Sequence, residues 1–290
     1  MHEFRLHRPA TVDEAVTAHG RAQDPLYLAG GQTLIPSLKL RLARPSDVVD
    51  LTSIGALKGI DVQHAALSIG ALETHASVAE SELVRDRLPA LASLAVRIGD
   101  QMVRNRGTLG GAIANNDPIG DYPAAALGLG ATIRTERRSI PADEFFRGAF
   151  TTALERGELI VSVDFPLPDA AEYVKFPSLV SVLVARFGRR VRVAVTGGAG
   201  CVHRVAALER ALEGNFHEDV VAAWSPDVAA FNSNTHASGA YRAELVKVGV
   251  RRAVRSIARS RRSGRPLPSS DRTSHATTAG SARRPGSRRA

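Results

Sequence analysis

The sequence predicts an α+β fold of two domains followed by a tail, and three observations support this. Over residues 1–168, short apolar runs alternate with helix-length amphipathic segments. A Pro-Leu-Pro-Asp segment at 166–169 is a natural domain boundary. Beyond it, a hairpin pattern precedes several helices, which is typical of a small antiparallel sheet covered by helices. We therefore expect domains at 1–168 and 169–254, and a tail over 255–290.

The first domain begins with a helix signal. Thr11 and Glu14 form a capping-box pattern in front of an apolar stretch, so a helix is expected to start there. Apolar runs of strand length and amphipathic segments of helix length then follow each other along the chain. The predicted strands cover 26–28, 48–51, 67–70, 131–135 and 159–165, and the predicted helices cover 34–42, 74–84, 88–98 and 122–129.

The second domain begins with the hairpin, whose strands are predicted at 180–186 and 190–196 around Gly188-Arg189. Val191, Val193 and Val195 alternate with Arg190, Arg192 and Ala194 in the second strand. This alternation is typical of a strand with one buried face. Helices are expected over 205–213, 219–231 and 240–257.

The net charge of +9 belongs to one segment of the chain. Residues 255–290 contain ten Arg, no Lys and one acidic residue, which accounts for the whole surplus. Residues 1–254 are neutral, with 28 basic and 28 acidic residues, which excludes a uniformly basic nucleic-acid-binding domain there. From Ser260 onward the sequence has no aromatic residue and few apolar ones, so the tail is expected to be disordered.

Cysteine content and hydropathy limit the function further. One thiol, Cys201, cannot form an internal disulfide, a four-cysteine zinc site or an iron–sulfur cluster. No apolar run is long enough for a membrane span, and residues 1–9 carry charges where a signal peptide has an apolar core. We therefore expect a soluble cytoplasmic protein.

Two glycine-rich loops are the candidate ligand-binding elements. Residues 28–36 run from a strand into Gly30-Gly31, then Thr33 and a helix, while residues 107–121 repeat the chemistry of threonine and paired glycines. Glycines allow close approach of phosphate oxygens, and backbone N–H groups near a helix start can bind them. Two such loops could hold the two phosphates of a dinucleotide, although a Gly-Gly pair alone is more often only a turn. The fingerprints of Rossmann and Walker nucleotide sites are absent.

The order of these motifs resembles a known family. AGGQTLIP is followed by RNRGTLGGAIANNDPIGDYPAAALGLGA, then by GELIVSVDFPLP and YVKF. This series is similar to the FAD-binding medium subunit of the molybdenum hydroxylases, the flavoprotein of the xanthine dehydrogenase and carbon monoxide dehydrogenase group. The resemblance covers roughly residues 1–250. It implies a two-lobed PCMH-type FAD-binding domain, with lobes of about 1–55 and 56–168, and a small α+β C-terminal domain.

The resemblance also implies a set of FAD-binding residues and no catalytic residue or metal ligand. Asp121 matches the family's acidic contact, Ile160 a contact near the flavin, and Lys175 a basic contact that would stabilise negative charge on reduced flavin. The implied cofactor-binding residues are Leu28, Ala29, Gly30, Gly31, Gln32, Thr33, Leu34, Ile35, Thr108, Leu109, Gly110, Gly111, Ala112, Asp121, Ile160 and Lys175.

Two departures from the family pattern bear on the cofactor site. Ala112 stands where the family usually has Asn, so a side-chain hydrogen bond is lost unless Asn115 or Asn116 replaces it. The segment after Lys175 is short, because Phe176-Pro177-Ser178 runs almost directly into the valine-rich strand. That segment normally approaches the flavin ring, so ring shielding and access of the acceptor are affected.

The resemblance also implies partner subunits, because the family divides its redox steps among three subunits. A large subunit oxidises the substrate at a molybdenum cofactor, and a small subunit passes electrons through two [2Fe–2S] clusters. The flavin subunit would then deliver them to NAD, a quinone or oxygen, and the single cysteine agrees with clusters on another chain. The alternatives are a free-standing flavin oxidoreductase, or a polyanion or nucleic-acid binder through the basic tail, without base specificity.

Three further features have simpler interpretations. His75 is expected to be the neighbour of a helix cap, and Cys201 a small core residue without a His–Asp partner pattern. The abrupt change to Arg, Ser, Pro and Gly after the last helix suggests a frame-shifted, non-native C-terminus.

Overall fold

The computed structural model describes residues 1–262, with side chains through Ser260. The first lobe is a three-stranded parallel sheet in the order β1-β3-β2. The predicted cap is confirmed, because the Thr11 hydroxyl accepts from the Glu14 N–H, while the Glu14 carboxylate accepts from the Ala10 N–H. Its elements are β1 (Arg5–His7), α1 (Val12–Arg21), β2 (Pro25–Leu28), α2 (Leu34–Lys39) and β3 (Asp47–Asp50), followed by a 3-10 turn at Gly55–Leu57.

The second lobe is a five-stranded antiparallel sheet in the order β4-β5-β10-β6-β7, with a mainly helical stretch packed against it. Its first strands and helices are β4 (Ile60–Gln63), β5 (Ala66–Gly70), α3 (His75–Glu80), α4 (Glu82–Arg87), α5 (Pro89–Val96), α6 (Gln101–Arg104), α7 (Leu109–Asn115) and α8 (Asp121–Leu129). The remainder are β6 (Thr132–Thr135), β7 (Ser139–Pro141), α9 (Ala142–Phe145), β8 (Phe146–Gly148), β9 (Thr151–Thr152) and β10 (Ile160–Pro166). The predicted helix 74–84 is broken at Ser81, whose hydroxyl caps the second piece by accepting from the Val84 N–H.

The C-terminal part is a four-stranded antiparallel sheet in the order β11-β12-β13-β14, with three helices. The elements are β11 (Ala170–Phe176), β12 (Val180–Phe187), β13 (Arg190–Thr196), β14 (His203–Arg204), α10 (Ala206–Gly214), α11 (Glu218–Ala223) and α12 (Gly239–Arg262). The predicted hairpin is confirmed as β12 and β13. The predicted helix 219–231 is shorter, because Pro226 interrupts it and only a 3-10 turn at Val228–Ala230 follows.

This sheet is buried on both faces, so the prediction of a half-buried strand is wrong. Leu183 and Ala194 belong to the core that also contains α8 and the second-lobe sheet. Val182 and Val193 belong to a second core closed by α10, α11 and α12. Gly128 in α8 permits the first contact, since a Cβ there would lie 2.6 Å from Cδ2 of Leu183.

The last helix corrects the expected domain end. We predicted a helix ending at 257 and disorder over 255–290, but α12 continues to Arg262. Ile257 is buried in the second core, and Arg255 pairs with Glu218 on α11. Residues 255–262 are therefore helical, and the rest of the predicted tail lies outside the described residues.

Candidate cofactor-binding cleft

A cleft of about 600 Å³ lies between the two lobes of the first domain. One wall comes from the strand end and loop at 26–37, and the other from α3, the loop before α7 and the start of β10. The volume falls in the range of roughly 300–1,000 Å³ that is usual for sites that bury a small molecule or cofactor. Both predicted glycine loops line it.

The two loops meet through their backbones. A Cβ on Gly30 would lie 2.0 Å from the Arg106 carbonyl oxygen and 2.8 Å from Cα of Gly107. No side chain fits there, so the first glycine is required for the loops to approach each other. Gly111 has a different role, because a Cβ there would meet only the Thr108 hydroxyl at 2.8 Å and Cβ of Ala29 at 3.9 Å. It keeps open the gap between the loops.

The loops differ in the backbone donors that they offer. The N–H groups of Gly31, Gln32 and Thr33 donate to no group within the described part of the chain, and Thr33 makes no side-chain cap for α2. They are available to a ligand with acceptor oxygens.

Several backbone donors of the second loop are already paired within the protein. The Leu109 N–H donates to the Glu73 carbonyl and the Gly110 N–H to the Ala71 carbonyl, both at 2.9 Å. The Thr108 hydroxyl caps α7 by accepting from the Gly111 N–H. The first loop therefore offers several free backbone donors, while in the second loop the N–H groups of Leu109, Gly110 and Gly111 are already paired.

Most of the residues implied by the family resemblance line the cleft, and a few do not. Leu109 is fully buried in the core, and Leu28 and Ile35 pack behind Gly31. Asp121 and Lys175 lie together, one residue beyond the cleft wall at Gly120. The implied residues that line the cleft are Ala29, Gly30, Gly31, Gln32, Thr33, Leu34, Thr108, Gly110, Gly111, Ala112 and Ile160.

The structure distinguishes between the two asparagines that could replace the missing Asn at 112. Asn116 is 1 % exposed, and its amide donates to the carbonyls of Gly148 and Thr151 at 2.7 and 2.8 Å. It ends α7 in the left-handed conformation, with φ 43°. Asn115 lines the cleft one helical turn after Ala112, so its amide is the one available to a ligand.

Asp121 and Lys175 form an ion pair with Nζ–Oδ2 of 2.8 Å. The buried Tyr173 hydroxyl donates to the other Asp121 oxygen, and Lys175 also donates to the Arg97 carbonyl at 3.0 Å. Burial and the Asp121 charge raise the pKa of Tyr173, so its hydroxyl stays protonated. The three side chains fasten β11 to the start of α8, beside the cleft.

The shortened segment after Lys175 is a tight hairpin turn. Phe176 and Val180 are paired, the Leu179 N–H donates to the Phe176 carbonyl at 3.0 Å, and Ser178 has φ 60°. Residues 177–179 are all that separate β11 from β12. The chain therefore offers no extended loop at this point to cover a flavin ring.

Two polar residues outside the implied set lie in the cleft wall. The Tyr27 hydroxyl donates to the Gly157 carbonyl at 2.9 Å, and burial raises its pKa to about 12. Glu158 has a fully buried side chain that accepts from Arg138 and Thr135. The Arg138 hydrogen bonds lower the pKa of Glu158 to about 2. Neither position carries a motif of its own, although Tyr27 directly precedes the first glycine loop and Glu158 lies two residues before Ile160.

The residues present fit a flavin dinucleotide. The cleft has free backbone donors on one side, a glycine without a side chain facing across the gap, and apolar walls from Leu51, Leu57 and Leu159. No cluster of His, Cys, Asp or Glu among the described residues could hold a metal ion. Within residues 1–262, no helix combines the length and hydropathy that crossing a bilayer requires.

Comparison with known proteins agrees with this geometry. Residues 2–168 match the family model described as the FAD binding domain in molybdopterin dehydrogenase. The nicotine 6-hydroxylase medium subunit of Paenarthrobacter nicotinovorans is 32 % identical over 271 residues, covering 87 % of this chain and 96 % of that protein. The carbon monoxide dehydrogenase medium chain of Hydrogenophaga pseudoflava is 40 % identical over 168 residues, 56 % of this chain and 58 % of that protein.

Solved structures show the same fold over nearly the whole described chain. A chain of quinoline 2-oxidoreductase from Pseudomonas putida 86 aligns with a TM-score of 0.81 at 28 % identity, over 89 % of this chain and 98 % of that one. A chain of reconstituted carbon monoxide dehydrogenase from Oligotropha carboxidovorans aligns with a TM-score of 0.79 at 29 % identity, over 88 % and 98 %.

Fold, cleft and matches together define a class, the flavoprotein subunit of an oxidoreductase with FAD as its cofactor. The chain belongs to the FAD-binding medium-subunit family of the molybdenum hydroxylases. The predicted family, α+β fold and cofactor are thereby confirmed. The medium-chain relatives also make the chain one subunit of a larger complex.

Proposed function

We propose that this chain receives electrons from [2Fe–2S] clusters on a small partner subunit and passes them to an external acceptor. A large partner subunit with the molybdenum cofactor would oxidise the substrate. The observation that carries the proposal is the cleft of about 600 Å³, with its free donors on one loop and an open glycine on the other. The cofactor supplies the two-electron chemistry, and the chain supplies binding, orientation and electrostatics.

The chain's residues have separate roles in this proposal. The N–H groups of Gly31, Gln32 and Thr33 bind diphosphate oxygens, and the second loop fixes the width of the gap. Asn115 donates to the cofactor from α7, on the helix face where Ala112 has no polar group. Ile160 supplies an apolar contact to the cofactor. The remaining implied residues, Leu28, Ile35 and Leu109, support the loops from behind.

Lys175 and Asp121 are proposed to act at the flavin end of the site. Their pair lies next to Gly120, and Lys175, whose side chain is 18 % exposed, is the cation paired with Asp121. A fixed positive charge near a flavin stabilises the reduced, anionic state. Asp121 and Tyr173 hold that cation in place through the hydrogen bonds described above.

The proposed partners agree with the cysteine content of this chain. Its sequence has a single cysteine, Cys201, so it cannot supply the thiolates of two clusters. We propose NAD, a quinone or oxygen as the acceptor, a cytoplasmic location, and domains at 1–168 and 169–254. A free-standing flavin oxidoreductase is the alternative, and binding of polyanions by the basic segment concerns residues mainly outside the described part.

The test is purification of the full chain together with the proteins that accompany it. We expect flavin absorbance bands, release of about one FAD per chain on denaturation, and two accompanying chains that contain iron and molybdenum. A colourless, folded chain would contradict the cofactor proposal. A yellow chain that purifies alone and reduces a substrate by itself would favour the free-standing enzyme.

A further inference from the structure

One buried side chain in the cleft wall has no assigned role. His75 is the first residue of α3, is 5 % exposed, and lines the cleft between the two lobes. Its backbone N–H donates to the Gly107 carbonyl at 2.9 Å, and the preceding Thr74 pairs with Thr108. The histidine is thus held against the start of the second glycine loop.

The two nitrogens of the His75 ring have different surroundings. Nδ1 is buried and has no hydrogen-bond partner within the described chain. Nε2 lies against Gly107 of the cleft wall, where a Cβ would be 2.5 Å away, and it makes no hydrogen bond within residues 1–262 either. The ring is fixed from behind by Tyr122, with 5.3 Å between ring centroids. A side chain this buried normally has a partner.

The protonation state determines what His75 can offer. Burial, with a smaller effect of Arg104, lowers its pKa to about 4, so the ring is neutral near pH 7. A neutral imidazole has one N–H donor and one acceptor nitrogen. Buried N–H groups without partners are rarer than under-satisfied acceptors, which favours a shielded Nδ1 without the proton. Nε2 is then a donor on the cleft side.

We propose that His75 donates its Nε2–H to a phosphate oxygen of the FAD held between the two glycine loops. This inference rests on the proposed function and extends that function by naming a further FAD-binding residue. It adds a side-chain donor on the second-loop side, where the backbone N–H groups of Leu109 and Gly110 are already paired with Glu73 and Ala71. The first loop then donates from its backbone, and the second wall donates from this side chain.

The test compares four variants in the full chain with its accompanying subunits, after removal of the bound flavin. FAD is titrated back, and its Kd is read from flavin fluorescence. His75→Leu removes the donor, and we expect FAD binding to weaken about tenfold to a hundredfold. His75→Gln places an amide nitrogen near the Nε2 position, and we expect it to stay within about threefold of the wild type. His203→Leu is the control, since that ring contacts Phe231 and the Cys201 carbonyl in the C-terminal part.

Three outcomes would overturn the inference. A His75→Leu variant with wild-type affinity would do so, and so would a Gln variant as weak as the Leu variant, because that pattern indicates a space-filling role. If the Leu variant does not fold, the Gln variant is compared with His75→Asn, whose amide nitrogen lies near the Nδ1 position. Equal FAD affinities of the Gln and Asn variants would then contradict the proposal. A wild-type complex that binds no FAD would instead overturn the proposed function itself.

Discussion

At the scale of single residues, Gly30 has the most restrictive surroundings in the cleft, because backbone atoms of the other loop occupy the space of its missing side chain. Its φ is not in the left-handed region, so a substitution acts through the steric clash alone. We expect Gly30→Ala to separate the loops and to weaken FAD binding by about tenfold or more. The measurement is the FAD content of the purified complex and the Kd for re-added FAD. Gly20→Ala is the matched control, since nothing lies within 4 Å of a Cβ there.

The pair of Asp121 and Lys175 can be examined by a double-mutant cycle. Lys175→Met leaves a carboxylate with 8 % side-chain exposure and only Tyr173 as a side-chain partner, which we expect to cost about 3 kcal/mol of unfolding free energy. Asp121→Asn together with Lys175→Met removes both charges, and its cost is expected to be well below the sum of the single changes. Urea unfolding of the four proteins gives the coupling. Additive effects would mean that the pair is not coupled.

The lowered pKa of Glu158 should make the free energy of unfolding depend on pH. Its folded-state pKa of about 2 lies below its ordinary value of 4.5, so its contribution is complete above pH 4.5 and disappears as the pH falls toward 2. The shift corresponds to roughly 3 kcal/mol. We expect the loss of unfolding free energy between pH 5 and 2.5 to be smaller in Glu158→Gln than in the wild type by about 2 kcal/mol, because part of the contribution remains at pH 2.5. Parallel pH profiles of the two proteins would contradict the assignment.

At the scale of elements, local signals predicted the sequence of helices and strands well, and tertiary contacts explain the exceptions. The capping pattern at Thr11 and the hairpin turn at Gly188-Arg189 act within a few residues, and both predictions are confirmed. The alternation in β13 indicated one exposed face, but on that face Arg192 reaches the Leu127 carbonyl and Asp143, and Ala194 packs under α8. The periodicity of a sequence indicates which side chains of a strand are polar. It does not indicate whether another layer of the fold covers those polar side chains.

In the candidate site, too, residues with a local sequence signal could be predicted and residues without one could not. The glycine loops could be identified because a tight backbone approach demands a particular residue type in a short segment. Glu158 and Tyr27 gave no such signal, since their hydrogen-bond partners Arg138 and Gly157 are distant in sequence. The expectation that His75 neighbours a helix cap is confirmed for its backbone position, but it says nothing about the environment of the ring.

The end of α12 leads to a prediction about truncation. A chain ending at 262 keeps the buried Ile257, the hydrogen bond of 2.6 Å between Ser256 and Glu172, and the pairing of Arg255 with Glu218. A chain ending at 254 loses all three, and we expect its unfolding free energy to fall by about 3 kcal/mol or more relative to the chain ending at 262. Urea unfolding of both truncated chains is the measurement, and equal midpoints with equal slopes would contradict it. FAD content is expected to be unchanged in the chain ending at 262.

At the scale of the whole molecule, one strand belongs to two cores. Leu183 and Ala185 of β12 pack toward the FAD-binding domain, while Val182 and Val184 of the same strand pack toward α12. Neither core can lose its packing without exposing the other, so we expect a single calorimetric transition with equal calorimetric and van't Hoff enthalpies. Two separate transitions would contradict this sharing.

Because the two cores share β12, we expect the chain to carry its own reporter of cofactor loading. Its single tryptophan, Trp224, packs against the C-terminal core and is not among the residues that line the cleft. FAD binds only the folded form, so adding it should move the thermal transition seen in tryptophan emission upward, in step with the logarithm of free FAD concentration. The emission of Trp224 in the C-terminal part would thus measure how much of the cleft is occupied by FAD.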